Sequence, residues 1–139
     1  MVYSMLVHSL CSGGTLDSLL TITRNSDDKK AVAGAFLQLS EEVQGSEFQR
    51  SYDFARQACV LYKQLNDIKG MARSYFNMGY ALTDLGKLDE SLNNYLLSLD
   101  LFSQAGDKLG EGKALNDIAY IYQYQGNQQE AMKYYKQAL

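Results

Sequence analysis

From Lys29 onward, apolar and small residues recur at intervals of three and four, with polar residues between them. That is the period of amphipathic helices packed on one another. It predicts helices near residues 29–44, 47–65, 68–84, 87–104, 108–124 and 127–139. No stretch alternates with the two-residue period of strands, so the fold class is all-α. A further helix is expected to begin at Thr15, a capping residue, with Leu16, Leu19, Leu20 and Thr23 on one face. Asn25 to Asp28 reads as a turn that caps the helix after it.

The pattern also repeats. Shifted by forty residues, Asp67 to Leu99 falls on Asp107 to Leu139: Asp67 meets Asp107, Gly70 meets Gly110, Tyr80 meets Tyr120 and Tyr95 meets Tyr135. In the last copy Leu115, Ile118, Ala119 and Tyr122 share a helix face, followed by Ala131, Tyr135 and Ala138 on the next helix. The middle copy supplies Tyr75, Met78, Gly79 and Leu82, then Ser91, Tyr95 and Ser98. Small residues let two antiparallel helices approach closely, and large ones fill the space between units. The first copy is less regular, with Phe36, Leu39, Ser40 and Val43 before Ser51, Ala55 and Ala58. Its Val43-to-Ser51 gap is one residue shorter than Leu82 to Ser91, which predicts a degenerate end unit with a shortened hairpin. Gly45, Gly86, Gly106 and Gly126 mark the turns, where a positive φ is needed after a helix.

The order large-x2-large-small-x2-large, then small-x3-aromatic-x2-small, resembles the tetratricopeptide signature over about Lys29 to Leu139. HEAT and armadillo arrays have similar periods but not that second helix. The forty-residue period and the absence of proline depart from the usual unit. They resemble the longer variant of kinesin light chains, Pins-type polarity proteins, and bacterial sensor kinases and cyclases. The resemblance implies a right-handed α-solenoid of about three stacked helix-turn-helix units with an extra N-terminal helix. Residues 1–28 would form an N-terminal segment with a short helix, part leader or cloning-derived. Residues 29–139 would form the repeat domain, in units of about 29–67, 68–107 and 108–139, the last truncated. The implied function is a non-catalytic module that binds a peptide or protein segment, as part of a larger protein. The alternative is a sensory input domain of a bacterial histidine kinase, cyclase or transcription regulator.

With the core positions removed, the first helix of the middle unit leaves a stripe of Arg73, Phe76, Asn77, Tyr80 and Asp84. The last unit leaves Lys113, Asn116, Asp117, Tyr120 and Tyr124. In the family this face lines a concave groove, so the resemblance implies that these ten residues contact a peptide. Amides can pair with a peptide backbone, basic groups with carboxylates, and tyrosines supply contact area. Leu37, Gln38 and Glu41 stand on the same face of the first unit, which does not suit a clamp for a C-terminal carboxylate.

Charge and composition narrow the alternatives. A net charge of −3 and a pI near 5.1 argue against a nucleic-acid partner. No apolar run is long enough for direct membrane insertion. Val2 to Leu10 hints at a leader but lacks a basic start. Cys11 and Cys59 form no CxxC pair and His8 is the sole histidine, so neither a metal site nor any other cofactor is expected. Gly106, Gly110 and Gly112 fit no phosphate-loop motif, and nothing assembles a catalytic triad, so no enzymatic role is expected. Met132, Tyr135 and Leu139 would leave an apolar end face, which predicts self-association there. The default location is cytoplasmic, with the periplasm as the alternative for a bacterial-type sensor.

Overall fold

A computed structural model describes residues 2–139, with side chains from Gly14 onward. The leader expectation rests on the side chains of residues 1–13, with His8 and Cys11, which lie outside the described ones. Among the described residues, seven α-helices follow in order: α1 (Val2–Asn25), α2 (Lys29–Glu42), α3 (Phe48–Gln64), α4 (Ile68–Asp84), α5 (Leu88–Gln104), α6 (Lys108–Tyr124) and α7 (Gln128–Ala138). No strand occurs among them. Each helix packs on its sequence neighbours, and α2 also touches α4, so the helical hairpins stack into an α-solenoid.

The helix starts have a local cause. Asp67 and Asp107 each precede a helix in extended conformation, and each carboxylate accepts from an amide three residues on. Asp67 takes Gly70 N at 2.9 Å and Asp107 takes Gly110 N at 3.0 Å. Asp28 caps α2 through Lys30 N and Ala31 N, as the turn at Asn25–Asp28 predicts. The helix ends are closed by residues in the left-handed region: Gly45, Gly86, Gly106 and Gly126, with Asn66 in the place of Gly106 one unit earlier. Asparagine tolerates that conformation better than most side chains, which is why the turn needs no glycine there.

Two expectations change. Thr15 does not start a helix: α1 is continuous from Val2, and Thr15 lies inside it. The first hairpin is shortened in its helix, not its connector. Helix α2 has 14 residues against 17 in α4 and α6, while the connector from Val43 to Glu47 is longer than Leu85 to Lys87.

Small residues form the seam within each hairpin. Ser51 donates to the Ser40 carbonyl at 2.8 Å, Ser91 to the Gly79 carbonyl at 2.6 Å, and Ser98 to the Ala72 carbonyl at 2.8 Å. All three serines are buried, so each hydroxyl is satisfied by the facing backbone. Ala119 and Ala131 are buried at the corresponding places of the last hairpin. Between units, Tyr95 packs with Ile118 and Ile121, while within its own hairpin Phe76 meets the Tyr95 ring edge-on at 5.3 Å. Tyr135, the equivalent of Tyr95, stays more than a third exposed and donates to Gln123 Oε1 at 3.0 Å; among the described residues α7 packs chiefly on α6. Met132 and Leu139 are exposed beside it.

Candidate peptide-binding groove

Helices α2, α4 and α6 are the first helices of successive hairpins, and side chains from all three line one groove. Its main cavity, about 700 Å³, includes Glu41 and Gln44 from α2 and its end, Arg73, Asn77 and Tyr80 from α4, and Lys113 and Asp117 from α6. Phe76, Phe102 and Leu109 supply apolar wall. A second cavity of about 320 Å³ adjoins it through the shared residues Tyr80 and Asp117, and is completed by Thr83, Asp84, Tyr95 and Tyr120.

Two ion pairs span the main cavity. Arg73 Nη2 lies 3.1 Å from Glu41 Oε1, joining α4 to α2, and Lys69 Nζ lies 3.6 Å from Asp107 Oδ2, joining α4 to the cap of α6. Exposed pairs of this kind stabilise little, but they fix where two of the three basic side chains point. Lys113 forms no ion pair among the described residues.

Asn77 is the unusual member. It is 6% exposed, and its Nδ2 has no hydrogen-bond partner among the described residues. A buried donor left unpaired costs about 1–3 kcal/mol, so native structures rarely keep one without a use. Forty residues on, Asp117 carries the corresponding negative charge. Burial pushes the Asp117 carboxyl above the usual aspartate range, opposed by a hydrogen bond from the Tyr95 hydroxyl. The same burial, with the Asp117 charge beside it, pushes the Tyr95 phenol up strongly. Burial also raises Asp84.

The structure gathers most of the stripe expected from the sequence. Arg73, Phe76, Asn77, Lys113, Asp117 and Tyr80 line the main cavity, and Tyr80, Asp84, Asp117 and Tyr120 line the second. Asn116 lies apart, in a depression with Met132, Tyr135 and Lys136. It is the repeat equivalent of Phe76, which lines the cavity wall while its ring packs on Tyr95 and Phe102 of α5 in the same hairpin. Tyr124 lines neither cavity and is exposed, with its ring 6.5 Å from that of Tyr120. In the first unit Leu37 is buried with Ala33, Ala58 and Tyr62, so only Glu41 of the three expected residues reaches the cavity. Pattern alone missed Tyr95, Gln44 and Lys69. Tyr95 belongs to a second helix by its spacing, and only its hydroxyl, where phenylalanine would pack as well, signals a polar neighbour.

The tetratricopeptide repeat model matches residues 70–139, half of the chain. The chain belongs to the tetratricopeptide repeat family. Solved structures of similar fold include the TPR domain of Arabidopsis FLU, with a TM-score of 0.74 and 22% identity over 79% of this chain and 93% of that one. BtubC (BKLC) from P. vanneervenii is similar at a TM-score of 0.72 and 17% identity, over 93% of this chain and 53% of that one. This chain thus spans about half of BtubC. At these identities the likeness is one of fold. No curated protein matches in sequence. A tetratricopeptide solenoid is a protein–protein interaction module, and such domains are generally non-catalytic scaffolds. Among the described residues no helix is long and apolar enough to cross a membrane.

Proposed function

We propose that this tetratricopeptide chain holds an extended peptide segment of a partner protein in the groove of α2, α4 and α6. One observation carries this reading: the unpaired, buried Asn77 amide on the wall of a roughly 700 Å³ cavity. The Nδ2 itself is closed to solvent, so a turn of the Asn77 side chain on the cavity wall would be needed to bring it to a peptide carbonyl, and binding would then satisfy a group that folding leaves unsatisfied. The flanking Phe76, Tyr80 and Leu109 offer contact area, and the ion pairs at Arg73 and Lys69 orient those two basic side chains along the groove. A sensory role would use the same groove, with the bound segment reporting to an effector elsewhere in the protein.

Peptide-array capture tests the assignment. Asn77→Ala should weaken capture about tenfold, the worth of one well-placed hydrogen bond at roughly 1–1.5 kcal/mol. Asn116→Ala, outside the groove, should leave it unchanged. Equal capture by wild type and Asn77→Ala would remove the groove reading while leaving the fold intact.

A further inference from the structure

The second cavity has a chemistry unlike the first. Basic residues flank the main cavity, but none lines the second: Tyr80, Thr83, Asp84, Tyr95, Asp117 and Tyr120 enclose it. Asp84 and Asp117 come from different helices and neither has an ion-pair partner among the described residues. Three tyrosines surround them, two of which, Tyr80 and Tyr120, are partly exposed. Tyrosine faces and unneutralised carboxylates both favour a cation, and removing water strengthens each attraction. At about 320 Å³ the pocket lies at the small end of ligand sites, suited to one side chain.

The groove reading would put a chain beside this pocket. Asn77, buried and unpaired, stands one turn before Tyr80 on α4, on the wall of the cavity that shares Tyr80 and Asp117 with it. A peptide whose carbonyl meets Asn77 would therefore pass within a residue or two of the pocket mouth. We propose that the pocket of Tyr80, Asp84, Asp117 and Tyr120 takes a basic side chain of the bound peptide, arginine above lysine. Arginine is preferred because its planar guanidinium stacks on tyrosine and presents several donors to two carboxylates at once. The inference deepens the groove reading and rests on it for the chain that carries the side chain.

The pocket can be tested without a partner peptide. N-acetyl-arginine methylamide, titrated into the isotope-labelled chain, is expected to shift the backbone amides of Tyr80, Asp84, Asp117 and Tyr120 in a saturable way. N-acetyl-citrulline methylamide, the same shape without the charge, should not. Asp84→Asn and Asp117→Asn should each weaken arginine-probe binding about five- to tenfold, and added salt should weaken it further. Asp84 is exposed, so its variant reports on the pocket even if Asp117→Asn perturbs packing. Equal binding of the two probes, shifts spread over acidic residues elsewhere, or indifference to both substitutions overturns the proposal. Asn77-dependent capture of array peptides with no preference for arginine also overturns it, leaving the groove reading in place. Saturable arginine binding at these four residues without Asn77-dependent capture upholds the pocket and removes the groove.

Discussion

The Phe102 ring lies against Gly110 so closely that a Cβ at position 110 would overlap ring carbons. Tyr62 lies on Gly70 in the same way one unit earlier. These glycines sit in the first turn of α6 and α4, where the preceding helix supplies an aromatic ring to close the joint between units. The groove depends on that joint, since it sets how near α6 comes to α4.

Two glycines of one helix therefore have opposite roles. Gly110→Ala should destabilise by about 1–3 kcal/mol, the usual cost of forcing a methyl into a filled site. Gly112, two residues on, has no atom within 4 Å of its would-be Cβ and an ordinary φ. Gly112→Ala should stabilise by about 0.5–1 kcal/mol through helix propensity. Urea unfolding followed by circular dichroism separates them. Stabilisation by both would mean the ring is free to move away.

That contrast shows what the chain made legible. The matching of Gly70 to Gly110 is visible as a repeat, but its reason is not, because Tyr62 and Phe102 lie eight residues upstream across a turn. Periodicity names the face of a helix and says little about what covers its flanks. Phe76 and Asn116 therefore enter the same stripe as Asn77 and Asp117, although one packs on Tyr95 and the other leaves the groove. Leu37 fails for the same reason: periodicity puts it on the groove face, but it is covered by Ala33, Ala58 and Tyr62. The core seam, by contrast, was readable, because Ser91, Tyr95 and Ser98 must all face the partner helix at spacings of four and three.

Asn77 offers a test of stability against function. Asn77→Leu replaces an unpaired buried amide by an apolar group of similar size that is a better helix former. We expect a gain of about 1–2 kcal/mol in unfolding free energy, together with loss of peptide capture. A destabilised Asn77→Leu variant would show that the amide already has a structural use.

Asp107 and Asp117 should respond to pH with opposite signs. The Asp107 carboxyl is held below its ordinary value of 3.8, first by the Gly110 N–H and then by Lys69. Its stabilising contribution is therefore present above pH 3.8 and is lost as pH falls through the lower, folded-state value. Asp117 is raised above 3.8 by burial, so the folded chain binds its proton more tightly than the unfolded one. Its contribution thus falls as pH rises from 3.8 through the folded-state value, leaving a cost at neutral pH. Asp117→Asn keeps an acceptor for the Tyr95 hydroxyl and removes the buried charge. It should raise Tm at pH 7 and lose most of that gain below pH 4, where the wild-type carboxyl is protonated as well. Melting curves at pH 7, 5 and 3.5 decide the matter, and a Tm for Asp117→Asn below wild type at pH 7 would mean that the charge is already compensated in the free chain.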